Sequence, residues 1–282
     1  MAARQIIIPE LYSKMLTEKV AGKVRISNYA VDLGEVGDFA QEGDSITFPQ
    51  FSALSEAELL ERGAEISTEE LKQTSTKKSV KHYAKGVSIL DVDALEGKGN
   101  FEENAIEQQA NIFARARDKE CVADIDANAV LKYATTGASA ITETELINAL
   151  NMYGDDQDDS SFDAIVINSA LLPSFYAMEG FINSTKTYVT GANGTIVNGC
   201  VGHYRTIPVV LSNVGTYDNT AKECIPYILK KGALGRKDKK NGVEIELDRV
   251  AKAKRTDVFA DEMFVIGLIQ KDGVCIMRKT IA

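Results

Sequence analysis

Residues 43–93 constrain this chain more than any other stretch, because they read as a long two-stranded arm with an acidic tip. The outgoing limb, GDSITFPQF, alternates Ile46 and Phe48 with Thr47 and Pro49, the period of two that marks a strand. The returning limb, TSTKKSVKHYAKGVSILDVDAL, sets Tyr83, Val87 and Ile89 on one face and Val80, His82 and Ala84 on the other. Between them, SALSEAELLERGAEISTEELKQ carries Glu56, Glu58, Glu61, Glu65, Glu69 and Glu70. A two-stranded ribbon alone in water is marginal. An arm of this length is therefore expected to lie on another body, and the simplest such body is a second copy of the chain. The first reading is assembly rather than catalysis.

With 282 residues the chain has room for one large domain or two modest ones, and for a real core. Its net charge of −9 argues against a surface devoted to nucleic-acid phosphates. It leaves open a shell that encloses DNA without gripping it. No window approaches the roughly 18 apolar residues of a spanning helix. The start, MAARQIIIPELYSKML, has an apolar run too short for a signal peptide. The expectation is a protein that stays in the cytoplasm and uses no membrane. Cys121, Cys200, Cys224 and Cys275 form no CxxC pair, which favours reduced thiols over a disulfide framework or zinc site.

Along the chain, PELYSKMLTEKVA (9–21) reads as a short helix with Leu11, Met15 and Val20 as anchors. The pattern then loosens from Val24 to Val36. A long helix is expected from about Phe101 to Tyr133, with Ile106, Ala110 and Phe113 on one stripe. Ile112, Ala116, Ala123 and Ala127 form a second, small-residue stripe, and Asn100 is placed as N-cap. About 30 helical residues would run roughly 45 Å, the length of a strut. A second helix follows in ITETELINALNMYG, with a capping box from Thr142 to Glu145 and Gly154 at its end. DDQDDSSFD reads as a solvated loop and FDAIVINSA as a buried strand. SALLPSFYAMEGFIN is helical or turn-rich, and STKTYVTGANGTIVNG a loop with strand fragments. VGHYRTIPVVLSN, KECIPYILKKGALG and GVEIELDRVAK each supply a strand. DEMFVIGLIQKDGVCIMRKT is expected to fold as a hairpin about Lys271-Asp272-Gly273. This order gives an α+β chain without the regular alternation of a doubly wound or barrel fold.

Catalytic signals are thin. His82 and His203 are the only histidines, and neither has a second His or a Cys at metal-ligand spacing. Ser169 lacks a GxSxG elbow. Asp155, Asp156, Asp158 and Asp159 lack the Gly and terminal Glu of a calcium loop, and GANGTIVNG lacks the Lys-Ser/Thr of a phosphate loop. No catalytic, cofactor-binding or metal-ligating residue is assigned, and no cofactor is expected. The arm's charge is more informative: its tip is acidic, and its returning limb is basic at Lys77, Lys78, Lys81 and Lys85. Two readings stand, solvated faces or complements to a neighbouring subunit. In the second, the partners would be Lys230, Lys231, Arg236, Lys237, Lys239 and Lys240, or the Glu102–Glu107 face. Each exposed pair would contribute only about 0–1 kcal/mol.

The order GDSITFPQF, acidic stretch, KSVKHYAKGVSILDVDAL, long helix, FDAIVINSALLPSF and GCVGHYRTIPVVLSN resembles the major capsid proteins of tailed bacteriophages, the Hong Kong 97-type fold. The resemblance runs over nearly the whole chain. It implies an N-terminal arm at 1–37, an extended E-loop hairpin at 38–86, and a P-domain at 87–139 carrying a spine helix at about 101–133. An A-domain at 140–230 and a return to P-domain strands at 231–282 complete it. It further implies hexamers and pentamers of an icosahedral head enclosing double-stranded DNA without sequence-specific contact, found in the virion and assembled in the host cytoplasm. A separate scaffolding protein is expected, since only 37 residues precede the E-loop, and a portal is the other implied partner. Inter-subunit contact is expected of Phe48, Phe51, Leu54, Leu59, Leu60, Glu61, Arg62, Lys77, Lys81 and Lys85, with most of the arm's apolar side chains, Phe48, Phe51, Leu54, Leu59 and Leu60 among them, buried only on assembly. Some relatives crosslink an E-loop Lys to a neighbour's Asn, but this sequence carries no acceptor signature. The alternatives are an encapsulin-like nanocompartment shell holding protein cargo, which shares the fold, and a soluble oligomeric α/β enzyme.

Overall fold

The computed structural model describes residues 9–37, 41–51, 54, 59, 66, 68–92, 100–155, 157, 161–183 and 199–281. Two sheets organise them, and one long helix lies against both.

The first helix, α1 (Pro9–Lys23), buries Tyr12, Leu16 and Val20. The stretch after it is more ordered than its sequence pattern suggests. Val31–Val36 forms β1, which pairs in parallel with β13 (Leu234–Val250). β13 in turn pairs antiparallel with β14 (Arg255–Leu268), and β14 with β4 (Lys81–Leu90), giving a four-stranded sheet in the order β1-β13-β14-β4. The register slips between Asp238 and Val243, where Gly242 takes φ +65° and a Cβ would come within 2.9 Å of the Thr17 hydroxyl. Gly there lets the sheet bend around α1.

The long helix, α2, runs from Phe101 to Asn128 and is 28 residues long. Asn100 caps it, its side chain accepting from the Glu103 N–H at 3.3 Å, as the sequence predicts. Its Ile106, Ala110 and Phe113 pack with Tyr12, Leu16 and Val20 of α1 onto Val243, Val258 and Ala260 of the first sheet. The expected extension to Tyr133 is not found. Ala129 is already extended, and Leu131–Ala134 forms β5, paired in parallel with β15 (Val274–Arg278). Sheet pairing overrides helix propensity at this end. The small-residue stripe also departs from expectation, since Ala123 and Ala127 are exposed and Ile112 is 44% exposed. The buried face is instead Arg117, Asp118, Cys121, Val122 and Ile125.

The second sheet has seven strands. They are β5, β15, β12 (Tyr227–Lys230), β6 (Phe162–Ile167), β9 (Ile207–Leu211), β8 (Cys200–Tyr204) and β7 (Phe181–Asn183), in that spatial order. β6 shows why Ala164–Ile167 within FDAIVI is uninterruptedly apolar, following the half-buried Asp163. Ala164 and Val166 join Cys121, Val122 and Ile125 of α2 in one core. Ile165 and Ile167 join Leu146 and Leu150 of α3 (Glu143–Asn151) and Phe175 of α4 (Leu172–Tyr176) in another. A run covered on both faces needs apolar side chains at every position. The Thr142–Glu145 capping box of α3 forms as expected, and Gly154 takes φ +71° just beyond it.

One expectation fails outright. The last two strands do not pair as a hairpin: β14 belongs to the first sheet and β15 to the second. The turn is real, with the Gly273 N–H donating to Gln270 O, but the cores on either side draw the strands apart. A further pair, β10 (Tyr217–Asp218) with β11 (Glu223–Cys224), is a small two-stranded piece. Most of STKTYVTGANGTIVNG lies outside the described residues.

Candidate inter-subunit surface

β2 (Ser45–Phe51) and β3 (Gln73–Ser79) form a separate antiparallel ribbon, in register from Ser45↔Ser79 to Phe51↔Gln73. After Val80 the chain turns into β4, which leaves the ribbon and enters the first sheet. The returning limb is thus two strands with two partners. Pro49 is tolerated because both ribbon strands are edges.

The ribbon's base is fastened to its own chain. Phe48 is 0% exposed and packs with Val36, Val80, Val265 and Ile269, and the Lys237 ammonium lies 5.9 Å from its ring centroid. This corrects the expectation that Phe48 is buried only on assembly. The alternation of β2 points it at the first sheet, where it fills the corner between β1 and β14. Two basic residues of the limb are likewise met within the chain. Lys78 Nζ contacts both carboxylate oxygens of Asp124 on α2, at 2.5 and 2.6 Å. Lys81 lies 3.7 Å from Glu120, one turn earlier on that helix. The Tyr83 hydroxyl donates to Glu120 as well. Burial, with that hydrogen bond and the carboxylate's charge adding to it, pushes its pKa up to about 12. Glu120 and Asp124 are the residues that sequence reasoning missed. Their i, i+4 spacing opposite a basic limb was the available signal.

The ribbon's far end is different. Leu54, Leu59, Ile66 and Leu71 are 60%, 97%, 76% and 55% exposed. Lys77 and Lys85 are also exposed. Leu60, Glu61, Arg62 and the side chain of Phe51 lie outside the described residues. Large apolar groups at this density are left mostly open by the described residues, which is the mark of an interaction surface. The basic segment on β13 has charge partners close by in sequence: Arg236 lies 3.9 Å from Asp238, and Lys239 lies 2.8 Å from Glu244.

The segment after α1 is tied down by one buried carboxylate. Asp118 accepts from the backbone N–H groups of Arg25, Ile26 and Ser27 at 2.9–3.0 Å and from the Ser27 hydroxyl at 3.1 Å. Burial raises its pKa, and those donors work against the rise. Next to it, Arg117 pairs with Glu262 of β14 and with Asp238 of β13. Burial disfavours the guanidinium's charge, but the two carboxylates outweigh it and raise its pKa.

His82 Nε2 lies 3.1 Å from Asp261 across the β4–β14 pair, while His203 is on β8 at the other end of the molecule's second sheet. Ser169 opens a single 3₁₀ turn. Among the described residues, no group of three His, Cys, Asp or Glu could hold a metal ion. All four cysteines are free thiols. Burial raises the Cys121 pKa well above its ordinary value, so that thiol is inert packing. Among the described residues, no helix is long and apolar enough to cross a membrane.

Comparison with known proteins bears on this geometry directly. A family model described as phage capsid protein matches residues 73–275, from the ribbon's returning strand to β15. The major capsid protein of Staphylococcus phage phiMR11 is 25% identical over 264 residues, covering 92% of this chain and 88% of that one. Among solved structures, the capsid of Cyanophage P-SCSP1u superposes with a TM-score of 0.62 at 18% identity, over 92% of this chain and 89% of that one. The capsid of a native GTA particle gives 0.63 at 10% identity, over 93% and 91%. These structural likenesses establish the Hong Kong 97-type fold, and the sequence relatives favour the capsid reading over nanocompartment or enzyme. With most of its length matched in this way, the chain belongs to the phage capsid protein family, as a structural major capsid protein rather than an enzyme.

Proposed function

We propose that this capsid subunit closes its shell by laying the distal half of the ribbon across an adjacent copy. The observation that carries this is the contrast along one element: Phe48 is fully buried within the chain, whereas Leu54 and Leu59 are open to solvent. A ribbon fastened at its base and apolar at its tip is built to dock on a separate body. Because the contact joins two different patches, it is heterologous, and heterologous contacts close into rings. Hexamers and pentamers of an icosahedral head follow from such rings when they curve. The exposed Lys77, together with Phe51, Leu60, Glu61 and Arg62, belongs to the same docking ribbon, and the exposed Lys85 would add its charge from β4 of the first sheet. Charge there sets register more than affinity.

Double-stranded DNA is the proposed cargo. The net charge of −9 suits a wall that encloses nucleic acid without gripping it along its length. Assembly would take place in the host cytoplasm, with a separate scaffolding protein setting the shell radius and a portal at one vertex. Electron microscopy of the purified chain, alone and co-expressed with a scaffold, tests the proposal. Shells, tubes or hexameric rings support it, especially with hydrogen-exchange protection appearing at residues 54–71 on assembly. A small soluble oligomer under both conditions, or assembled shells with those residues still unprotected, would refute the ribbon's role.

A further inference from the structure

A cleft of about 300 Å³ opens where the end of α1 meets α2 and the segment following β9. Three cations line it: Lys23 at the last turn of α1, Arg25 just beyond, and Arg115 on α2. Asn111, Ser169 and Asn213 add neutral donors from three different segments. For a chain with net charge −9, this is a local concentration of positive charge in a concave site.

Among the described residues the one carboxylate in the wall, Asp118, is already engaged by the backbone of residues 25–27. It fixes the course of the chain at the rim. Arg25 Nη1, by contrast, is buried and has no hydrogen-bond partner among the described residues. Gly199 closes against it, since a Cβ at that position would come within 2.0 Å of Nη1. A buried charged donor without an acceptor is costly, and native structures rarely leave one. Lys23 does touch Glu107 at 3.3 Å, but the Glu side chain is 57% exposed, and such a solvated pair is readily exchanged.

We propose that this cleft binds a phosphate-type oxyanion, held by the guanidinium groups of Arg25 and Arg115 with Lys23 as supporting charge. A tetrahedral oxyanion offers acceptors in several directions, matching donors that converge from several segments, and Arg forks bind phosphate bidentately. Inorganic phosphate and a nucleic-acid phosphodiester share this chemistry. The site stands on its own lining and does not depend on how the ribbon docks.

The test uses the purified full chain with inorganic phosphate as probe, followed by ³¹P NMR and by thermal melting against chloride at matched ionic strength. The expected result is saturable binding, a melting temperature that climbs with phosphate concentration, and at least a tenfold weakening in both Arg25→Gln and Arg115→Gln. Arg115 is exposed, so its replacement keeps the test valid should Arg25→Gln fail to fold. Displacement of phosphate by a short DNA duplex assigns the natural ligand to a phosphodiester, and no displacement assigns it to the free ion. The proposal is overturned by absence of saturable binding or by equal affinity in the Arg115→Gln protein. Binding of an acidic peptide of residues 54–71 in place of phosphate would also overturn it, in favour of a carboxylate from a second copy.

Discussion

Lys78 and Asp124 join the ribbon to the long helix: Nζ of one lies 2.5 and 2.6 Å from the two carboxylate oxygens of the other. The same carboxylate accepts from the Leu268 N–H at 2.6 Å and from Asn128 Nδ2 at 2.9 Å. One side chain thus ties together β3, α2 and the end of β14. Gly267 makes the approach possible, because a Cβ there would fall 2.5 Å from Asp124 Oδ2. The ribbon is anchored by chemistry, and its direction of departure is set before any partner arrives.

Lys78→Met should therefore loosen the ribbon while leaving the second sheet intact. The two side chains are only 11% and 20% exposed, and removing one partner of a buried pair costs about 3–5 kcal/mol, with the lower end expected at a partly open site. Hydrogen exchange should rise at residues 45–51 and 73–79 more than in β6 or β12. Equal protection of the ribbon in both proteins would mean that the Phe48 cluster holds it unaided.

Phe48 and Leu59 lie on one arm yet should respond in opposite ways to substitution. Phe48→Ala empties a fully buried site and should cost about 3–5 kcal/mol, seen as a lower denaturation midpoint of the unassembled chain. Assembly would then fail as a consequence of folding.

Leu59→Ser removes an exposed side chain, and surface changes of this kind usually stay within about 0.5 kcal/mol. The unassembled protein should melt as before, while shell formation falls sharply in sedimentation assays. Shells formed at the ordinary protein concentration by the Leu59→Ser chain would remove Leu59 from the interface.

Local periodicity made much of this fold legible in the sequence. The run FDAIVI announces a strand covered on both faces, and Thr142 with Glu145 announces a helix start, because each signal is complete within a few residues. The failures share another cause. Whether β14 and β15 stay together depends on which core each joins, and nothing within DEMFVIGLIQKDGVCIMRKT encodes that. Likewise Leu131–Ala134 continues a helical pattern but gains more from pairing with Cys275–Arg278. At the interface, alternation placed Phe48 on a face without saying whose core that face meets. The anchors Glu120 and Asp124 are charged residues on a helix, and only the fold brings them opposite Lys81 and Lys78.

Acid should act on the core beneath α3 and the second sheet through Glu145. Burial alone would raise its pKa, but donors on Thr136 and Thr142 outweigh burial and lower it from 4.5 to about 2. The carboxylate accepts from the Thr136 N–H at 2.7 Å and from the Thr142 N–H and hydroxyl at 2.8 and 2.9 Å. A group whose pKa is lower in the folded state binds fewer protons there than in the unfolded chain. Its stabilisation is therefore fully present above the unfolded value, near 4.5, and is lost as pH falls towards about 2. Melting temperature should decline through that window in the native chain. Glu145→Gln cannot titrate, so it should start lower at neutral pH and show a flatter acid limb. Parallel acid limbs in the two proteins would assign the acid sensitivity to other carboxylates.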